Sequence, residues 1–154
     1  GYESGPSNGP RKWEIFHYTG RKWENHVVTT SDNNYDMGSV YIESRKNWRV
    51  IGPTEMGPQS FNPGGEVAMW VSHDGGKSWQ MEKQLTRNSP MNHTYVRRPV
   101  NAHSFFYALW ADGHGRKPSE SNIYFCNKKG DVFKLPREIE QGRRTIVPEI
   151  FKGN

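Results

Sequence analysis

The stretch Ser72-His73-Asp74-Gly75-Gly76-Lys77-Ser78-Trp79 restricts the fold of this chain more than any other. Asp-Gly and Gly-Gly supply the positive-φ positions that a short hairpin turn needs. A tryptophan follows three residues past the second glycine. Runs with strand character flank the turn: 66–73, where Val67, Met69 and Val71 interleave with Ala68 and Trp70, and 78–85. A β-hairpin with a pinned turn is expected here.

The same spacing recurs. Gly20 with Trp23, Gly76 with Trp79 and Gly130 with Phe133 lie 56 and 54 residues apart, each at a turn between strand-like runs. A repeat of roughly 55 residues is the signature of arrays and propellers. The first and third copies, 16–23 and 126–133, lack the serine and aspartate of the middle one.

Ser72, Asp74, Gly76 and Trp79 match the pattern S-x-D-x-G-x-x-W, and so resemble the Asp-box of the BNR (bacterial neuraminidase repeat) superfamily, found in sialidases and many other β-propellers. The stretches 34–39, 53–58, 92–99 and 109–114 resemble a branch of BNR-repeat proteins that includes some acting on plant or algal polysaccharides. The resemblance runs from about Trp13 to Pro136. It implies an all-β partial β-propeller of four-stranded antiparallel blades, with Ser72, Asp74, Gly76 and Trp79 as structural residues of an outer hairpin.

A propeller closes with typically 4 to 8 blades, so at this period a six- or seven-bladed ring needs roughly 330 to 390 residues. With 154 residues, the chain is expected to be the C-terminal part of a larger propeller. It would hold a half blade (11–30), two full blades (31–88 and 89–136) and a tail (137–154), and would need N-terminal blades of its own polypeptide. The tail is expected either to close the ring against such a blade or to be a loose terminus. Strands are expected at 13–18 and 22–29, at 35–43, 48–54, 66–73 and 78–85, and at 94–100, 105–112, 122–126 and 132–135.

Hydrophobic residues make up only 32% of the chain, which raises the question of disorder. Aromatics, at 13%, answer it, because each large ring buries much apolar area. The net charge of +5 favours an anionic partner. Acidic polysaccharide suits the resemblance; nucleic acid is disfavoured, since the cations are scattered among acids and no recognition helix is visible. No apolar run approaches the 18 residues of a membrane helix. The single cysteine, Cys126, excludes an internal disulfide and sits in a strand-like run as a buried, inert thiol. No metal-ligand spacing surrounds it, and neither metal nor cofactor is expected. A secreted or periplasmic location goes with the polysaccharide reading.

In a propeller, one rim is built by the loops that enter the inner strands and those that join second strands to third. Here these are 31–36, 55–65, 89–93 and 113–120, which carry Asp32, Tyr35, Asp36, Glu55, Asn92, His93, His114, Arg116 and Glu120, with Asp112 adjoining. Convergence of such groups on a concave rim is the first place to look for a site. Alternation puts His93, Tyr95 and Arg97 on one strand face, with Thr94, Val96 and Arg98 on the other. His93 or Tyr95 would act as acid or base and Arg97 would grip a uronate carboxylate. His114 is expected near the channel as a second imidazole. Tyr35, Asp36, Glu55, Arg98 and Arg116 are expected to bind substrate. Glu55 and Asp36 are the candidate carboxylate pair of a hydrolase, whereas His93, Tyr95 and Arg97 suit a lyase better. No motif assigns the three arginines and paired tyrosine of a sialidase. Both a carbohydrate-cleaving propeller and a non-catalytic glycan-binding or scaffolding one fit these residues.

Overall fold

The structure, a computed structural model, describes residues 10–33, 36–138, 142 and 145–152. Every regular element among them is a β-strand, and all pairing is antiparallel. The first sheet is a two-stranded hairpin of β1 (Arg11–Tyr18) and β2 (Trp23–Ser31). The second has four strands in chain order, β3 (Ser39–Ile42), β4 (Trp48–Glu55), β5 (Glu66–Ser72) and β6 (Gln80–Gln84). The third runs β7 (Asn92–Arg97), β8 (Ala108–Gly113), β9 (Ile123–Cys126), β10 (Val132–Lys134) and β11 (Glu149–Phe151).

The fifth strand corrects the expectation for the tail. Glu149–Phe151 extends the third sheet by pairing with β10, Val132 opposite Phe151. Phe151 packs against the main core cluster, with its ring edge-on to Tyr124 at 5.3 Å between centroids.

The second sheet is covered on both faces, so β4 is almost wholly buried. On one face Trp13 of the hairpin lies over Gly38 and Gly52, where an added Cβ would stand 2.9 Å and 3.1 Å from its ring. Trp13 also donates its indole N–H to Ser31 Oγ at 3.0 Å, and His17 meets Trp48 edge-on. On the other face Ile51, Val67 and Met69 join Val96, Ala108, Trp110, Tyr124 and Cys126 of the third sheet. Burial pushes the Cys126 thiol up to about 12, consistent with an unreactive thiol.

The repeated glycines all lie at hairpin turns with left-handed φ: Gly20 at 89°, Gly76 at 86° and Gly130 at 77°. Around Gly76 the turn is closed by side chains. Ser72 Oγ accepts from Gly76 N at 2.8 Å and donates to Asp74 Oδ1 at 2.8 Å. Asp74 Oδ1 also accepts from the backbone N–H of Lys77 and Ser78. The Ser78 hydroxyl and these donors hold the Asp74 carboxyl well below its usual range. Trp79 donates its indole N–H to Gly76 O. In the third sheet one side chain does similar work: Asn127 Oδ1 accepts from Lys129 N and Asp131 N. Because Ser78 and Trp79 serve the turn, β6 starts at Gln80 rather than at 78.

Candidate functional site

Four loops meet at one end of the second and third sheets, with the 55–65 loop bonded to each of the others, and Asn92 at the start of β7 holds that loop. Its Oδ1 accepts from Gln59 N at 3.1 Å, and its Nδ2 donates to Gln59 O and Pro63 O. Gly57 sits where a Cβ would come within 2.4 Å of that Oδ1. Gly65 and His93 exchange backbone hydrogen bonds, Asp32 Oδ2 accepts from Phe61 N, and Gln59 Oε1 accepts from Gly115 N. Arg116 Nε donates to Asn62 Oδ1 at 2.5 Å, while His114 Nδ1 accepts from Arg116 N at 3.1 Å. His114 and Arg116 therefore belong to this loop cluster. Glu55, half-buried, accepts from Thr54 Oγ1.

The strand that carries most of the expected chemistry is irregular. Thr94 is opposite Ala111 and Arg97 opposite Leu109, so β7 holds one residue more than β8 between these pairs. Tyr95 absorbs the excess with a φ of 55°, the conformation of a bulge. Strict alternation fails there. His93 and Val96 turn inward, at 1% and 0% exposure, while Tyr95 (46%) and Arg97 point outward. The expectation that His93 shares a face with Tyr95 and Arg97 is thereby corrected: the extra residue reverses the side-chain phase between them.

Asp36 secures the bulge. Its Oδ1 accepts from Tyr95 N at 3.1 Å and from Met37 N, and its Oδ2 accepts from Thr94 Oγ1 at 2.7 Å. Burial raises the pKa of this carboxyl, against the pull of those donors. The Arg97 guanidinium carbon lies 5.5 Å from the Tyr95 ring centroid, and Arg98 lies 5.2 Å from that of Tyr41. Asp36, Tyr95 and Arg97 are thus brought together. Tyr35 lies outside the described residues.

His93 is enclosed by Trp110, Tyr124 and Phe151. Trp110 Nε1 donates to its Nδ1 at 3.0 Å. An indole nitrogen only donates, so Nε2 carries the proton and donates to Ser89 Oγ at 2.9 Å. Ser89 Oγ in turn donates to Glu66 Oε2 at 2.9 Å, and Thr86 donates to the same oxygen. Burial lowers the imidazole to about 4. With its lone pair engaged by Trp110 and no open face, His93 is unfit as a general base. Asp112 is likewise enclosed, accepting from Asn122 and from the Tyr124 hydroxyl.

The reading from sequence missed Glu66, Ser89 and Asn92 as organisers. A signal was present for one of them: Glu66 opens a run of otherwise apolar strand residues, and a carboxylate in such a place must find partners. Among the described residues no three His, Cys, Asp or Glu side chains are grouped to hold a metal ion, and no helix is long and apolar enough to cross a membrane. Comparison with family models, curated proteins and solved structures finds no match to this chain.

Proposed function

We propose that this chain is part of a carbohydrate-active β-propeller, its three sheets successive blades, that cleaves an acidic polysaccharide at the outward face of β7. One observation carries the reading. Tyr95 is held in a left-handed conformation by the Asp36 carboxylate, with its phenol exposed and the Arg97 guanidinium beside the ring. Non-glycine residues in this region of φ, ψ space cost about 1–3 kcal/mol and gather at functional sites.

A guanidinium next to a phenol suits chemistry beside a uronate. Arg97 would take the sugar carboxylate and stabilise the negative charge that grows there when the neighbouring C–H proton is removed. Tyr95 would take that proton on its phenolate oxygen; the ring carbon–oxygen bond at the adjacent position then breaks, and the Tyr95 phenol returns the proton to the departing oxygen. This is the lyase branch. The hydrolase branch would draw on Asp36 and Glu55, but Asp36 already accepts three hydrogen bonds. A secreted or periplasmic setting accords with a polymeric substrate.

A non-catalytic glycan-binding or scaffolding propeller is favoured by one observation, the enclosure of His93, which removes an imidazole from the open face. The two readings part in a screen of acidic polysaccharides that follows new reducing ends and the ultraviolet absorbance of unsaturated uronates. Both signals together, abolished by Tyr95→Phe, support the lyase. Reducing ends without absorbance would move the chemistry to Glu55 and Asp36. Neither signal, with glycan bound, would leave a binder.

A further inference from the structure

Two clefts adjoin along the second and third sheets, and neither Tyr95 nor Arg97 lines them. One, of about 450 Å³, opens between the 56–58 segment and the 87–89 segment, with buried Glu66 and Ser89 in its lining. The other, of about 290 Å³, follows the seam between β6 and the β10–β11 pair, past Lys83, Gly130 and Lys152. Gln84 and Arg87 line both, so the clefts form one groove.

The groove's open charge is positive. Glu66 is enclosed, its carboxylate taken up by Thr86 and Ser89. Asp131 is held by Asn127 at 2.8 Å and by Lys83 at 3.5 Å; the second contact is an exposed pair of the kind an incoming anion readily replaces. Among the described residues Arg87 and Lys152 have no hydrogen-bond or ion-pair partner. Lys83 stands near the end of β6, Arg87 three residues past its last residue and Lys152 just past β11, so the three cations come from separate stretches of the groove wall. Three cations along a groove that continues past Arg87 into the larger cleft suit a linear polyanion better than a single small anion.

The walls select among polyanions. Met56, Pro58 and Ile150 offer apolar surface and Gln84 an amide, as a sugar ring with hydroxyls requires. The aromatic in the lining, Phe151, has its ring set against Tyr124 and His93, and offers no free platform for a nucleobase. We propose that this groove binds a linear acidic polysaccharide, with Arg87 as its central anion contact and Lys83 and Lys152 flanking it. The polymer's class rests on the acidic-glycan reading above; the site itself is separate from Tyr95 and Arg97.

The test is equilibrium binding of the whole chain to polygalacturonate and to alginate, with dextran and single-stranded DNA as comparators. Arg87→Ala should weaken acidic-polymer binding about tenfold, the loss of one charged contact. Arg87→Ala with Lys152→Ala should weaken it further and flatten its salt dependence. Arg87 is exposed, so the melting temperature should not move. Failure of both polymers to bind, unchanged affinity in the double variant, or DNA bound equally well through Arg87 would each overturn the groove. Arg87-dependent binding without any turnover would sink the catalytic reading and leave the groove standing. Turnover with Arg87-independent binding would do the reverse.

Discussion

The indole N–H of Trp110 donates to Nδ1 of His93 across 3.0 Å, and both rings are almost fully buried. That bond sets the tautomer of the imidazole and, through Nε2 and Ser89, orients the hydroxyl that reaches Glu66. The chain of donors runs from the third sheet into the second. His93 also exchanges backbone hydrogen bonds with Gly65, at the end of the 55–65 loop that Asn92 holds.

Stability should fall as the pH drops from about 6.5 towards 4. The folded-state pKa of His93 is depressed to about 4 by burial, whereas an unfolded histidine titrates near 6.5. The unfolded chain therefore binds the extra proton first. The stabilisation is complete above about 6.5 and is lost progressively down to the folded value, a total on the order of 3 kcal/mol. Asp36, with a raised pKa, acts in the opposite sense at lower pH. Urea midpoints between pH 7 and pH 4 check this, and a slope unaltered by His93→Gln would assign the effect elsewhere.

Trp110→Phe keeps an aromatic ring but leaves Nδ1 of His93 as a buried acceptor without a donor. A loss of roughly 1–3 kcal/mol is expected. The imidazole nitrogens should also change state, because either nitrogen is then free to carry the proton. Nitrogen-15 shifts of the ring would report that change; unchanged shifts would mean that the tautomer is set by Ser89 alone.

Gly20→Ala and Gly76→Ala should differ although both glycines have left-handed φ. At Gly20 an added Cβ meets open space, so the cost is the backbone preference, about 1–2 kcal/mol. At Gly76 the Cβ would lie 2.6 Å from the Trp48 ring, which adds roughly 1–3 kcal/mol of overpacking. Thermal or urea melts of the two variants decide it, and equal losses would show that the turn yields without disturbing Trp48.

Tyr95→Gly should be neutral or gain up to about 1 kcal/mol, since glycine relieves a φ of 55°. Tyr95→Val should be worse than either, because a β-branched side chain resists this conformation. Asp36→Ala should loosen the bulge by freeing the N–H of Tyr95 and the hydroxyl of Thr94. Amide hydrogen exchange at residue 95 would rise in that variant; protection equal to wild type would mean that the strand register alone holds the bulge.

Much of the fold was legible because it depends on short stretches of chain. The three repeated glycines lie at hairpin turns with the positive φ that their neighbours suggested, and the strand runs fall within a few residues of those expected. The loops around 32, 55–65, 89–93 and 113–116 do exchange hydrogen bonds, although Asn92, which holds the second of them, looked no different from its polar neighbours. The candidate site was read less well. Period-two alternation placed His93 with Tyr95 and Arg97, and one inserted residue undid that grouping.

By itself, then, the sequence determined an all-β chain, the turn at Ser72–Trp79 and its recurrence, since turn conformation and alternation are properties of neighbouring residues. Only the tertiary structure decided which side chains reach the open face. The bulge at Tyr95 is held by Asp36, 59 residues away in sequence, and the tail joins the third sheet through pairing with β10. The enclosure of His93 likewise depends on Trp110, Tyr124 and Phe151 arriving from three other strands. Such contacts are set by how sheets stack and which register wins, and no local pattern encodes either.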